Sequence, residues 1–304
     1  MAELKVRIGV GAGASRTDPA AATLQLVDGC ERRGIDSVWF PDRIAARAIE
    51  PLTALAWGAG RTTSLKLGTG VVVLPGRNPV VVAAQLASLA ALAPRRILPV
   101  FGLRPATPGE RTAYPVPGPR AAVFEEALTV VRRLLSEESV THHGAFFTLD
   151  DAVVAPRPQR PLDLWLGGLV PAALDRVGRL GDGWLASFVT PDEADAARRD
   201  IAAAADRAGR EVEDDHFGTN LLVLPPGTPD GERDRALASS AHRRPDADPT
   251  ALVADGWERA RSRVGEFVDA GITKFVVRPA VAPDSWDDFL DGLVAELGPL
   301  ETPR

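Results

Sequence analysis

The chain has a single cysteine, Cys30, in 304 residues. That excludes an intrachain disulfide and a cysteine-built zinc cluster. No apolar run approaches the roughly 20 residues of a membrane span. No block of Lys and Arg marks a nucleic-acid partner, and the net charge is −6. The start, Met1-Ala-Glu-Leu-Lys-Val6, has neither a basic leader nor a long apolar stretch. The expectation is a cytoplasmic protein without a signal peptide. There is no G-x-S-x-G, which argues against a serine hydrolase. What the chain does have is ordinary: 45% hydrophobic and 25% charged residues, with Ala and Arg abundant and Lys scarce. Nothing marks a second domain, so residues 1–304 are expected to form one.

Apolar runs alternate with amphipathic helices. Strands are expected at Val6–Val10, Ser37–Phe40, Leu65–Leu74, Ile97–Leu103, Leu162–Leu166, Gly183–Phe188, Phe217–Leu224 and Thr273–Arg278. Most are short, rich in Val, Leu and Ile, and bounded by Gly or Pro, as strands buried on both faces are. Between them, Leu24, Val27 and Cys30 share a helix face that Gly34 ends. Val82, Leu86, Leu89 and Ala93 form a second stripe, Phe124, Leu128, Val131 and Leu135 a third, and Trp286, Phe289, Leu293 and Leu297 a last one. Pro51, Pro171 and Pro191 stand where helices begin.

Eight such alternations predict a (β/α)₈ TIM barrel with insertions at the strand C-terminal ends. A doubly wound sheet is the alternative. Its dinucleotide loop is poorly matched by Gly9-Val-Gly-Ala-Gly-Ala14, which has the wrong spacing and reads as a flexible first loop. Two stretches interrupt the rhythm, Pro105–Pro119 and Pro225–Pro249, and are expected as lids or specificity loops. Val140–Val154 reads as a small hairpin.

Barrel chemistry sits at the strand C-terminal ends. There the sequence delivers Asp42 and Arg43, then Gly70 and Val71, Gly102 and Arg104, the pair Gly167-Gly168, and Arg278. Arg43, Arg104 and Arg278 on one rim favour a polyanionic ligand. Glycine pairs before a helix suit an anion. No His and carboxylate set with metal-ligand spacing appears at these ends, so no metal is expected. A barrel with so few titratable groups suits a cofactor that carries the hard chemistry. The segment Lys66-Leu-Gly-Thr-Gly-Val-Val-Val-Leu-Pro-Gly-Arg-Asn-Pro79 is the most informative, because glycine inside a strand marks a bulge or a close approach.

Several segments together resemble the luciferase-like monooxygenase superfamily, in particular its coenzyme F420-dependent actinobacterial oxidoreductases. They are Ser37-Val-Trp-Phe-Pro-Asp42, Leu67-Gly-Thr-Gly-Val71 through Arg77-Asn-Pro79, Phe124–Phe147, and Leu164-Trp-Leu-Gly-Gly168 through Leu180-Gly-Asp-Gly-Trp184. The resemblance implies a barrel that binds F420, or alternatively FMN, at the strand C-termini. It implies a bulge with a non-prolyl cis peptide at Gly70–Val71 behind the cofactor ring. It places Asp42 near that ring, and Gly167 and Gly168 at its ribityl-phosphate side. Outer-helix homodimers are common among such relatives. Two positions depart from the pattern: Arg43 stands where a histidine is usual, and the fourth strand reads Leu98-Pro-Val-Phe-Gly102 in place of a more glycine-rich run.

The leading expectation is F420-dependent hydride transfer to or from a small organic substrate. Asp42, Arg43 and Glu110 are the catalytic candidates. Asp42, Gly70, Val71, Gly102, Gly167 and Gly168 would bind cofactor, and Arg104, Tyr114 and Arg278 would bind substrate. Two alternatives stay open: an FMN-dependent monooxygenase with a separate reductase, and a cofactor-free barrel with a binding role, its fourth strand end blocked by Pro99 and Phe101.

Overall fold

The computed structural model describes residues 5–13, 18–44, 46, 48–103 and 107–303. The chain opens with β1 (Arg7–Gly11), α1 (Pro19–Arg32), β2 (Ser37–Phe40) and α2 (Pro51–Arg61). The third strand comes in two pieces, β3 (Lys66–Thr69) and β4 (Val72–Val73), and α3 (Pro79–Leu92) follows. The fourth is also split, into β5 (Ile97–Leu98) and β6 (Val100–Gly102). Next come α4 (Arg120–Ser136), the hairpin β7 (Val140–His143) and β8 (Thr148–Ala152), β9 (Trp165–Gly167), α5 (Pro171–Leu180), β10 (Gly183–Ala186) and α6 (Pro191–Arg207). The last third holds β11 (Phe217–Leu224), α7 (Asp230–Arg243), α8 (Pro249–Leu252), β12 (Val253–Asp255), α9 (Gly256–Asp269), β13 (Lys274–Pro279) and α10 (Trp286–Leu297).

Proline opens many of these helices because its missing N–H would be unpaired there anyway. Pro51, Pro171 and Pro191 do so as expected, and Pro19, Pro79 and Pro249 do the same. Asp18, Glu50 and Asn78 cap α1, α2 and α3 with side-chain oxygens, and Thr190 with Glu193 forms a capping box on α6. The apolar stripes of α3, α4 and α10 are buried as the spacing predicts. In α1 the buried face is Ala22, Leu26, Val27, Gly29 and Cys30, and Leu24 is turned out at 38% exposure. Val27 and Cys30 of the expected stripe are on the buried face, and Leu24 is not. The insertion 225–249 carries the helix α7, and 105–119 carries a 3₁₀ turn over Pro108–Ala113.

The strands form one curled parallel sheet in the order β4-β6-β9-β10-β11-β13-β1-β2-β3-β5, with β12 added to β11. Neighbouring helices pack on one another around it, α1 on α10 and α5 on α6 among them. A large apolar cluster joins the helices to the outward residues of the strands. A small one lies on the sheet's other face: Trp39, Val100, Leu185 and Val276, with Val71, Leu98 and Trp165 against them. Strand alternation separates the two sets.

Glycines inside the strands make room for the large members of the small cluster. A Cβ at Gly68 would collide with the Trp39 ring, and one at Gly183 with Trp165. Gly9 lies in β1, not in a flexible loop, and there a Cβ would collide with Ser37, whose hydroxyl accepts from Trp39 Nε1 at 2.9 Å.

The N-terminal strand ends are closed by charge. Asp36, 3% exposed, accepts from Lys66 Nζ at 2.8 Å and from Lys274 Nζ, with Arg7 Nε 4.0 Å away. Burial alone would raise the Asp36 carboxyl's pKa, but the two ammonium groups win and hold it well below the usual range.

Candidate active site

The C-terminal strand ends are organised around the break in the third strand. The peptide Gly70–Val71 is cis. Across it, Gly70 N–H donates to the Phe40 carbonyl at 2.8 Å and Asp42 N–H to the Val71 carbonyl at 3.2 Å. The fourth strand breaks beside it at Pro99, which has no N–H for a ladder. Thr69, fully buried, repairs that gap. Its hydroxyl accepts from Val100 N–H at 2.8 Å and donates to the Val100 carbonyl at 2.9 Å.

Val71 turns its side chain toward Gly102 and Gly167. A Cβ on Gly102 would collide with one Val71 methyl, and a Cβ on Gly167 would stand 3.3 Å from the other. Both glycines therefore seat the bulge. Gly168 has φ +125°, and its carbonyl accepts from Trp184 Nε1 at 2.8 Å. The N-terminus of α5 follows immediately. Unlike those of α1, α2, α3 and α6, it has no side-chain cap.

Asp42 is buried at 6% and held on several sides. Tyr114 O–H donates to its Oδ1 at 2.6 Å, and Val73 N–H and Arg77 Nη2 donate to its Oδ2 at 3.0 and 2.8 Å. Arg77 also reaches Glu50 and lies over the Tyr114 ring, 5.8 Å from its centroid. Burial, then the bond to Asp42, pushes the Tyr114 phenol well above its ordinary value. Burial alone would lower the Arg77 guanidinium, but Asp42 beside it raises it. The four residues form a brace beneath the bulge.

Arg43 faces Glu110, with Nε 3.7 Å from Oε1. Glu110 is 2% exposed, and its Oε2 accepts from Thr107 N–H and Oγ1 at 3.0 and 3.1 Å. Arg278 is different. Its Nε donates to Asn220 Oδ1 at 2.6 Å, its Nη1 to the Ala12 carbonyl at 2.6 Å, and its Nη2 reaches the Gly70 carbonyl at 3.5 Å. Among the described residues no carboxylate pairs with it. Burial lowers its pKa to about 10. Gly11 and Gly70 make the space, since a Cβ on either would stand within 2.6 Å of the guanidinium.

The structure thus brings Asp42 to Tyr114, Arg43 to Glu110, Val71 to Gly102 and Gly167, and Arg278 to Gly70. Arg104 lies outside the described residues. Arg77, Thr69 and Asn220 escaped the sequence reading. Asn220 had a signal, a lone amide inside the apolar run Phe217–Leu224. At the opposite strand ends, Glu213, Asp215 and His216 bring ligand atoms within 4.8 Å of one another.

Comparison with known proteins now bears on this arrangement. The family model for luciferase-like monooxygenases matches residues 4–274, and the chain belongs to that family. A protein of Kineococcus radiotolerans named F420-dependent glucose-6-phosphate dehydrogenase is 34% identical over 51% of this chain and 49% of its own length. The chain thus spans about half the length of that relative. A 5,10-methylenetetrahydromethanopterin reductase of Methanolobus tindarius is 28% identical over 64% of this chain and 59% of its own. Among solved structures, an F420-dependent secondary alcohol dehydrogenase in complex with an F420-acetone adduct superposes with a TM-score of 0.83 at 20% identity. That match covers 98% of this chain and 100% of the other, and it establishes the shared fold.

Proposed function

We propose that the chain is an F420-dependent oxidoreductase that exchanges a hydride with a small organic substrate at the C-terminal strand ends. The observation that carries this reading is Arg278, a cation without an acid partner among the described residues, laid against the Gly70 carbonyl at the bulge. Arg278 is partly buried, and a charge drawn out of water is normally paired. An arginine left with carbonyl and amide partners awaits negative charge from a ligand. The relatives' F420 chemistry supplies the identity of that ligand.

The residues fit the group. The Gly70–Val71 backbone would back the ring, and the apolar layer of Val71, Leu98, Trp39, Val100 and Leu185 keeps water from beneath it. Arg278 would stabilise charge on the ring's electron-rich edge. The uncapped N–H groups of α5, next to Gly167-Gly168, would receive the side-chain phosphate. When bound, F420 supplies the hydride site at its C5. Glu110, whose Oε1 faces Arg43, would take or return the balancing proton. Asp42 would act as a positioning residue, holding Tyr114 and Arg77 under the bulge. We also propose that the sheet closes into an eight-stranded barrel within one domain, 1–304. The pairings β3 with β5, β4 with β6 and β6 with β9 support closure across the two split strands.

The test is a fluorescence titration of the purified chain with F420 and, separately, with FMN. Saturable quenching of F420 is expected. A response to FMN with none to F420 would overturn the reading in favour of flavin monooxygenase chemistry, and no response to either would favour the cofactor-free alternative.

A further inference from the structure

Among the described residues, the only side chain that hydrogen-bonds Arg278 is Asn220. Asn220 stands on β11 opposite Val276 of β13, two residues before the pair Leu222 and Arg278. Alternation therefore puts Asn220 and Arg278 on one face of the sheet, the face of the small apolar cluster that holds Val276. Its Oδ1 accepts from Arg278 Nε at 2.6 Å. Its Nδ2 donates to the Ala186 carbonyl and to Ser187 Oγ, both at 2.9 Å, at the end of β10. A guanidinium only donates and a carbonyl only accepts, so these partners fix which way the amide points. The amide thus ties three strands together and sets the plane of the Arg278 fork.

The residue type matters as much as the geometry. Lys274, Arg77 and Arg176 are also drawn out of water, and each meets a carboxylate: Asp36, Asp42 and Glu125. At Arg278 the place of the acid is taken by its neutral isostere. An amide oxygen orients a guanidinium as a carboxylate would, without cancelling its charge. An acid at 220 would also set a second oxygen against the Ala186 carbonyl, where Nδ2 now donates. The position selects an amide on both sides. A hydride carries negative charge into the ring that accepts it, so an uncancelled cation beside that ring favours the hydride-loaded form over the empty one.

We propose that Asn220 is a positioning residue that aims Arg278 at the Gly70–Val71 bulge while leaving its charge whole, and that this charge makes the site prefer reduced over oxidised F420. The proposal rests on the F420 reading given above. It assigns the redox preference of the site to a pair of side chains on β11 and β13, away from the residues that would move protons.

Binding of oxidised and of reduced F420 is measured calorimetrically, without oxygen, on the full chain as wild type, Asn220→Asp and Asn220→Ala. The wild type is expected to bind both forms, the reduced one more tightly. In Asn220→Asp the preference for the reduced form should fall about tenfold or more, the effect of pairing the guanidinium with an acid. In Asn220→Ala the fork loses its aim but keeps its charge, and the preference should fall by less. A merely structural Asn220 gives the reverse order, since Asp keeps an oxygen for Arg278 Nε and Ala does not, and it weakens both forms equally. An unchanged preference in Asn220→Asp, or a smaller fall there than in Asn220→Ala, overturns the proposal. Thermal unfolding shows whether each variant folds. Should Asn220→Asp not fold, Asn220→Ala decides: a fall in preference supports the proposal, and equal loss of both forms overturns it. A wild type that binds neither form sinks the cofactor reading and this inference with it, whereas a wild type that binds both, with the preference kept in the variants, overturns this inference alone.

Discussion

At the N-terminal strand ends a buried carboxylate, Asp36, meets Lys66 and Lys274. At the C-terminal ends a guanidinium, Arg278, meets the oxygens of Ala12, Gly70 and Asn220 and, among the described residues, no carboxylate. Lys274 and Arg278 lie on the same strand, β13, four residues apart. The first is neutralised by the fold, and the second is not. In parallel α/β folds the N-terminal face serves stability and the C-terminal face carries chemistry. Here the two ends differ in charge: the Asp36 carboxylate has its ammonium partners, whereas among the described residues no carboxylate pairs with Arg278, the cation proposed to await a ligand.

The sharpest way to break the comparison is to remove the pairing partner at one end and the cation at the other. Asp36→Ala leaves two ammonium groups without their acid, one of them deeply buried, and should cost about 3–5 kcal/mol of unfolding free energy, read from the denaturant midpoint. Its acid sensitivity has a definite sign. The Asp36 carboxyl is held below its unfolded value, so its contribution is present above about pH 4 and is lost as pH falls below that. Arg278→Met removes a charge that no acid balances. Stability should change by about 1 kcal/mol or less, while F420 affinity falls at least about tenfold. If the two variants destabilise equally, Arg278 is structural and the contrast between the ends fails.

A smaller effect belongs to the stitch between the split strands. Thr69→Val keeps the shape but strips the hydroxyl that serves both Val100 N–H and C=O. A buried group left unsatisfied costs about 1–3 kcal/mol. The loss should show in chemical denaturation and fall on stability before cofactor affinity. A larger drop in F420 binding than in stability would mean that Thr69 shapes the cofactor face directly.

Much of the fold was legible in the chain. Strands buried on both faces read as continuous apolar runs, and prolines at helix starts punctuate them. Each of the eight expected strands appears, with ends shifted by a few residues. What stayed hidden depended on distant partners. Helix α7, Asp-Gly-Glu-Arg-Asp-Arg-Ala-Leu-Ala-Ser-Ser-Ala-His-Arg, buries only Ala236 and Ser240 and so shows no apolar stripe. Gly68 looked like a ligand approach, yet it clears space for Trp39 on the neighbouring strand. Gly102 and Gly167, expected as cofactor contacts, also clear space for Val71, a packing role that no local pattern shows. Asp42 looked like a candidate acid, but Arg77 and Tyr114, 35 and 72 residues away, hold it. Local pattern reveals periodicity, whereas the use of a polar side chain is set by whatever the topology brings to it.

The smallest expected effect sharpens the stability end of the comparison. Glu31, in the last turn of α1, accepts five hydrogen bonds from residues 63–65, just before β3: from Thr63 N–H and Oγ1, Ser64 N–H and Oγ, and Leu65 N–H. Burial alone would raise its pKa, but these donors lower it from 4.5 to about 2. A depressed carboxyl contributes stability above its unfolded value and loses it as pH falls through the folded one. The window is therefore between pH 4.5 and about 2. Solvent reaches this half-exposed group, so screening keeps the effect well below that of Asp36. Glu31→Gln retains one acceptor oxygen and loses the charge. Its unfolding midpoint should fall less than the wild type's across that window, with a modest loss at neutral pH. A Glu31→Gln curve that runs parallel to the wild type would show that the β3 loop is held by its backbone alone, and would leave Asp36 as the acid-labile tie of the N-terminal strand ends.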